Sequence, residues 1–316
     1  MDDRITLRFL ATPQDTGVND RTVAAGRVLE WIDRAGYACA VGWSSSYCVT
    51  AYVGNVNFTR PIAAGDLVEA DARIIHTGAS SMQVLVTVST ADVRTRRYER
   101  ALDCILVFVA IDEDRRPRSV PQWEPTDDTG RILYDRAEER LAPRRAIRDA
   151  MLAQEYTDAG TAPRTTFRFL ARPGDANWGG NAHGGTVMRW IDETAFATAA
   201  SWSTADAVAV YSGGIHFLHP IRIGDLVEID SRLIHTSEHS MHIAVRVASA
   251  APTAPRERRL TTVCMSVFVV PGADGTAQPV DPLPLASDED RRLDTHAREL
   301  IRMRRGLEPI PPVLRE

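Results

Sequence analysis

Apolar residues at Val28, Ile32, Ala35 and Cys39 recur every three or four positions, and Trp31 and Ala38 widen the stripe, so the spacing predicts a mostly buried helix from about Ala24 to Val41. A strand from Ile5 to Ala11 precedes it. Period-two or continuous apolar segments follow at Thr50 to Phe58, Leu67 to His76, Met82 to Thr90 and Ala101 to Ala110. Gly65-Asp66 and Ala79-Ser80-Ser81 supply turns between them. One strand, one long helix and four strands in a row do not alternate as a parallel sheet with crossover helices would require. The predicted unit is α+β, an antiparallel sheet wrapped around a single helix. Such a unit leaves part of its helix bare unless a second unit covers it.

The sequence contains that second unit. LRFLATPQD at Leu7 to Asp15 returns as FRFLARPGD at Phe167 to Asp175, and RVLEWIDRA at Arg27 to Ala35 returns as TVMRWIDET at Thr186 to Thr194. Phe58, Arg60-Pro61 and Gly65 to Glu69 match Phe217, His219-Pro220 and Gly224 to Glu228, while Ile75-His76-Thr77 and Ser81-Met82 match Ile234-His235-Thr236 and Ser240-Met241. The offset holds over the whole unit, so a folded domain was duplicated. Leu133 and Ala137 correspond to Leu293 and Ala297, which predicts a charged amphipathic helix at the end of each copy. Tyr156 to Pro163 has linker composition. Two domains follow, 1–155 and 164–316, joined as an internal pseudo-dimer.

Composition narrows the function classes. A net charge of -5 and a pI near 5.9 give no electrostatic reason to expect nucleic acid or a membrane surface as partner. The start MDDRITLRFL lacks the basic and apolar stretches of a signal peptide, and no run reaches the roughly 20 apolar residues of a membrane span, so a cytoplasmic protein is expected. Cys39, Cys48, Cys104 and Cys264 show no ligand spacing; free thiols are expected, with no metal site. Every basic side chain other than histidine is arginine, which removes Schiff-base chemistry and the phosphate-binding lysine of a P-loop.

Candidate chemistry lies where the second copy's helix begins. Its loop reads Asn177-Trp178-Gly179-Gly180-Asn181-Ala182-His183-Gly184-Gly185. Glycines at a helix start expose backbone N–H groups that lack intrahelical partners, and these, with the positive helix end, suit an oxyanion. A glycine-rich turn serving chain geometry alone is the plainer alternative. Asp33 and Asp192 hold equivalent places in strongly apolar helices, where a carboxylate is costly unless paired or functional. From Gly185 to Asp192 is roughly 10 Å of helical rise, long for two groups acting on one carbonyl carbon. Across a two-fold, each helix can instead present its aspartate to the other copy's loop: Asn181, His183, Gly184 and Gly185 with Asp33, and the first-copy loop with Asp192. Thr22 stands where the second copy has Asn181, and Ala24-Ala25-Gly26 where it has His183-Gly184-Gly185. One composite site is complete and the other is a remnant. His183 reads as an orienting hydrogen-bond partner more than as a base. The arginines at Arg94, Arg96, Arg97, Arg100, Arg256, Arg258 and Arg259 are solvated hairpin charge or a grip for phosphates.

The ordered set N-x-HGG, W-I-D-E, F-x-x-P-x-x-x-GD and HT-x-x-x-SM resembles the hotdog-fold acyl-CoA thioesterases, and the tandem layout resembles their double-hotdog cytosolic acyl-CoA hydrolases. The resemblance spans nearly the whole chain. It implies two hotdog domains and hydrolysis of a fatty acyl-CoA thioester, with Asn181 and Asp33 forming the site and Asp192 opposite the altered loop. Coenzyme A enters as part of the substrate, so no separate cofactor is implied, and a homo-oligomer, a trimer of double hotdogs, is the assembly it suggests. A hotdog hydratase or dehydratase would draft His183 and Asp33 instead, although no HFPG segment is present. A non-catalytic acyl-CoA-binding regulator is the third reading.

Overall fold

The computed structural model describes residues 2–18 and 22–307. The first copy comprises β1 (Arg4–Leu10), α1 (Ala25–Ser44), β2 (Cys48–Val53), the short β3 (Val56–Asn57), β4 (Asp66–Thr77), β5 (Ser81–Asp92), β6 (Glu99–Ala110), α2 (Asp128–Glu139) and α3 (Leu141–Leu152). The second comprises β7 (Arg164–Leu170), α4 (Gly184–Trp202), β8 (Val208–Phe217), β9 (Leu226–Thr236), β10 (Met241–Ala250), β11 (Arg259–Val269) and α5 (Asp288–Arg305). The predicted strand, helix and four-strand succession holds in both copies. Positions 308–316, the end of the expected second domain, lie outside the described residues.

All strand pairings are antiparallel, in the order β1-β4-β5-β6-β2-β8-β11-β10-β9-β7. The two half-sheets join where β2 meets β8, Tyr52 opposite His216 and Val53 opposite Ile215. β4, β5 and β6 are buried along most of their length because α1 covers one face and α2 reaches the other. β5 and β6 are therefore largely apolar without strict alternation, whereas β4 alternates from Val68 to Ile74, its Glu69 and Asp71 pairing with Arg8 and Arg4 of β1. The edge strands β1 and β7 alternate instead, and their outward Arg8 and Arg168 pair with Glu69 and Glu228 of the neighbouring strand. Charge along an exposed edge discourages further strand pairing.

α1 and α4 lie side by side on the inner face, which closes each copy's bare helix against the other. Their contact is close only because glycines stand at the crossing. A Cβ on Gly26 would come within 2.8 Å of the Arg189 Cα, and one on Gly185 within 2.9 Å of the Glu30 Cα. These two glycines are equivalent in the repeat, so the crossing has two-fold character. Phe9 stacks on Trp31 at 5.4 Å, and Phe169 meets Trp190 edge-on at 4.9 Å, anchoring each helix to its edge strand.

Two sequence expectations need correction. The first copy ends in two helices, not one, because Pro143 cannot donate to the preceding turn and crowds it, so the helix breaks at Arg140. Met303 occupies the matching place in α5, which runs unbroken. The segment Thr50 to Phe58 is not a single strand: after Val53 the Gly54 N–H turns to the Ile105 carbonyl at 2.8 Å, and the chain resumes as β3 against β8. The linker itself is docked. Thr157 N and Thr161 Oγ1 donate to Glu289 (2.8 Å) and Asp290 (2.6 Å) of α5, and Arg246 lies 4.8 Å from the Tyr156 ring centre.

His76 and His235 close strands on the outer face. His235 Nδ1 lies 2.6 Å from Asp294 of α5, and His76 Nε2 lies 3.6 Å from Glu138 of α2, so both tie the sheet to an outer helix. The four cysteines are free and buried.

Candidate active site

The loop entering α4 is shaped by its own polar atoms. Asn177 Oδ1 accepts from Gly179 N (2.9 Å) and Asn181 N (3.2 Å), while Asn177 N donates to Asn181 O at 2.7 Å. Gly180 takes φ +73°, and a Cβ on Gly179 would fall 2.4 Å from the Tyr47 hydroxyl. At Gly180 the positive φ strains any other residue, and at Gly179 a side chain would have to displace Tyr47. The tightened loop buries the Asn181 side chain, whose Oδ1 has no hydrogen-bond partner among the described residues. His183 then caps α4 and Gly184 opens it.

Asp33 comes to this loop from the other copy. It sits two turns into α1, wholly buried, and its carboxylate is bound on both oxygens. Oδ2 accepts from Gly185 N at 2.7 Å and lies 2.7 Å from His183 Nδ1, while Oδ1 accepts from Thr50 Oγ1 at 2.8 Å. The carboxylate fixes the His183 tautomer with its proton on Nδ1. Burial works against the charged imidazole, yet the hydrogen bond and charge of Asp33 outweigh it and raise the His183 pKa above the ordinary value. Asn181, His183, Gly184, Gly185 and Asp33 are thus brought together from two copies; Asp192 lies apart, in the mirror-image place.

A cavity of about 230 Å³ opens beside this group, walled by Tyr37, Thr50 and Arg115 of the first copy and by Asn181, His183 and Gly184 of the second. Asp33 is one layer behind that wall. A Cβ on Gly184 would stand 2.7 Å from Thr50 Oγ1 and 3.1 Å from Asp33 Oδ2, so the bare Gly184 backbone and the Thr50 hydroxyl form the seam through which the carboxylate meets the cavity. One expectation fails here. The Gly185 N–H is committed to Asp33 and is not free to bind an oxyanion. The Gly184 N–H, at the first position of the helix, carries no hydrogen bond among the described residues and retains that capacity.

The mirror-image place is poorer. Asp192 Oδ2 accepts from Gly26 N at 2.8 Å, matching the bond from Gly185 to Asp33. Ala24 replaces the histidine, Thr22 the asparagine, and Ala209 stands where the repeat would put the threonine. With one backbone donor, burial dominates and pushes the Asp192 carboxyl up to about 6.

Sequence reasoning missed Thr50 and Arg115. Thr50 opens an apolar strand with no motif around it; its one signal is the contrast with Ala209 under the repeat. Arg115 sits in a turn at φ +63° with its guanidinium 3.5 Å from the Gly179 carbonyl, at the cavity wall. The hairpin arginines do not line this cavity: Arg94 pairs with Asp92, Arg100 with Asp103, and Arg258 with Glu228. Among the described residues, no group of three or more His, Cys, Asp or Glu could hold a metal ion, and no helix is long and apolar enough to cross a membrane.

Comparison with known proteins places the chain in a family. The sequence profile of the thioesterase superfamily matches twice, at residues 21–96 and 179–254. The chain is 25% identical over 299 residues to acyl-coenzyme A thioesterase 11 of Mus musculus, covering 90% of this chain and 50% of that one. It is 24% identical to the human cytosolic acyl coenzyme A thioester hydrolase, covering 89% of this chain and 78% of the relative. An acyl-CoA thioester hydrolase of Salmonella typhimurium is 31% identical over 121 residues, or 37% of this chain and 90% of the relative. The chain thus spans half of the mouse relative's length and about four fifths of the human one's. With the profile falling once on each copy, the chain belongs to the thioesterase superfamily, as a tandem pair of hotdog units of the acyl-CoA thioesterase type.

Proposed function

We propose that this chain hydrolyses acyl-CoA thioesters to the free acid and coenzyme A at one composite site per chain, where the Asn181–Gly185 loop meets Asp33. The observation that carries the reading is the buried Asp33 carboxylate, held by Gly185, His183 and Thr50 directly behind the wall of a cavity.

The chemistry follows from the order of groups at the seam. The thioester carbonyl points its oxygen at the Gly184 N–H, where the helix end favours developing negative charge. A water held by the free Asn181 Oδ1 attacks the carbonyl carbon while its proton passes to Asp33. The tetrahedral intermediate then expels the coenzyme A thiolate, which recovers the proton from Asp33. Since Asp33 stands behind Gly184 and Thr50, general-base action through water fits better than direct attack by the carboxylate. Arg115 at the wall offers a cation to the phosphates of coenzyme A. Asp192 lacks all but the glycine donor and takes no part.

The same reading places the activity in the cytoplasm and assembles three chains into a trimer of double hotdogs. Leu10 and Leu170, equivalent residues on the two edge strands, are each about half exposed and suit a subunit contact. Sedimentation would then give three times the chain mass of 34.8 kDa. The contact between His183 and Asp33 is the one feature that favours a hydratase instead.

Release of free thiol from a series of acyl-CoA substrates tests the reaction. Asp33→Asn keeps the side-chain shape and should lower kcat by about a hundredfold to ten-thousandfold. Thiol release by that variant at the parent rate would exclude the composite site. Loss of enoyl-CoA absorbance without thiol would identify hydration, and acyl-CoA binding without either a non-catalytic regulator.

A further inference from the structure

Hydrolysis at the Asp33 site leaves its oxyanion with a single backbone donor. The Gly185 N–H is spent on Asp33, so the start of α4 contributes only the Gly184 N–H. Oxyanion holes ordinarily converge more than one donor, drawn from backbone amides or from polar side chains, tyrosine among them. Tyr37 offers the second. It follows Asp33 by four residues on α1, so the two side chains leave the same face of the helix, and it lines the cavity together with Gly184. Its ring lies 5.8 Å from that of His183, the residue before Gly184. Phe108 and Trp178 each meet it edge-on at 6.4 Å and fix its position.

The Tyr37 hydroxyl oxygen is buried and has no hydrogen-bond partner among the described residues. A tyrosine hydroxyl taken out of water ordinarily finds a partner, and packing alone calls for phenylalanine. The repeat contains that phenylalanine. Phe196 holds the equivalent place in α4, the helix that faces the altered loop of the first copy. The hydroxyl is thus present at the place that keeps Asn181, His183 and Thr50, and absent where all three are replaced. Burial, with Tyr47, Cys48 and Asp33 adding to it, pushes the phenol up to about 12, so at neutral pH the group keeps its proton and can donate.

We infer that the Tyr37 hydroxyl is a catalytic residue: it donates to the thioester carbonyl oxygen and, with the Gly184 N–H, holds the oxyanion of the tetrahedral intermediate. The inference rests on the hydrolytic reading of this cavity. The phenol does not give up its proton. Water forms the new C–O bond and its proton passes to Asp33, while the carbonyl electron pair moves onto the oxygen held by Tyr37 and Gly184. Return of that pair breaks the C–S bond, and the departing thiolate takes the proton from Asp33. A hydroxyl with no protein partner gains most where negative charge is greatest, so its contribution appears in kcat.

Tyr37→Phe removes the hydroxyl and keeps the ring, as the repeat does at Phe196. Thiol release should slow by about a hundredfold to a thousandfold in kcat. The denaturant midpoint should hold or rise, because an unsatisfied buried hydroxyl has gone. Two non-hydrolysable analogues read the contact directly. In an acyl-CoA ketone with methylene in place of the thioester sulfur, the infrared carbonyl band of the bound ligand should lie lower on the parent than on Tyr37→Phe. An S-alkyl thioether of coenzyme A, which has no carbonyl, should bind both proteins equally. Parent kcat in Tyr37→Phe, beside an active parent, overturns the inference alone. So does a slowed variant whose carbonyl band has not moved, or whose midpoint has fallen, since the hydroxyl then serves packing. A parent that releases no thiol from any acyl-CoA overturns the hydrolytic reading itself and takes this inference with it.

Discussion

Asp33 of the first copy accepts a hydrogen bond from the backbone N–H of Gly185, the second residue of the second copy's helix, at 2.7 Å. Asp192 repeats the arrangement with Gly26 at 2.8 Å. These reciprocal bonds let two buried carboxylates satisfy two helix starts, and they join the copies at the axis of the duplication. Difference between the two places arises only in what surrounds each bond.

Thr50 supplies the second oxygen of Asp33 with its donor, and Thr50→Val removes that donor while keeping the branched shape. A hydrogen bond to a carboxylate is worth about 1.5 to 3 kcal/mol, so kcat should fall roughly tenfold to a hundredfold if the bond aims or tunes Asp33 for proton transfer. Thr50→Ser, which restores the hydroxyl, should recover most of the loss. KM should change little, since the hydroxyl faces Asp33. Steady-state kinetics on all three proteins checks this, and a Val variant as fast as the parent would remove Thr50 from the mechanism.

Gly184 and Thr50 are a matched pair. An alanine Cβ at 184 would lie 2.7 Å from Thr50 Oγ1 and 3.0 Å from its Cβ, inside ordinary contact. In the first copy Ala25 fills the place of Gly184 and Ala209 that of Thr50, so the extra Cβ coincides with a smaller partner. Gly184→Ala should therefore cost about 1 to 3 kcal/mol of stability through overpacking. Adding Thr50→Ala should return part of that loss. Denaturant midpoints for the two single variants and the double close the cycle, and strictly additive effects would show that the residues do not compete for space.

The sequence reading of this fold was strongest where apolar period and repeat offset reinforce each other. Trp31 and Trp190, equivalent in the alignment, both anchor buried helices, and the strand-helix-strands order needed no structure to be legible. Pro143 carries the break between α2 and α3, but the matched arginine-rich segment in the second copy argued for a single helix. Pairing across the copies was reachable from helical rise alone, which set Gly185 too far from Asp192. What could not be reached was the state of individual donors. That Gly185 is committed to Asp33 while Gly184 is not depends on a one-residue difference in helix position, and hydrophobic pattern carries no such precision. Thr50 was invisible for a related reason: its side chain matters through one hydrogen bond, and a threonine in a strand is common for packing reasons alone.

Asp192 gives a prediction with a definite sign. Burial raises its carboxyl from the ordinary value of 3.8 to about 6 in the folded chain. Between these values the folded state binds a proton that the unfolded state has lost, so stability is fully present below about pH 4 and falls as pH rises toward and through 6. The shift corresponds to about 3 kcal/mol lost at neutral pH, an upper figure for one buried group. Asp192→Asn keeps an acceptor for the Gly26 N–H and carries no charge at any pH. Relative to the parent, the variant should gain stability between pH 4 and pH 7 by up to that amount, read as a widening gap between denaturation midpoints. Its thioesterase turnover should match the parent's, because Asp33 alone faces a complete loop. A gap that stayed constant with pH would refute the raised carboxyl, and a loss of turnover in a stable variant would mean that the second composite place works as well.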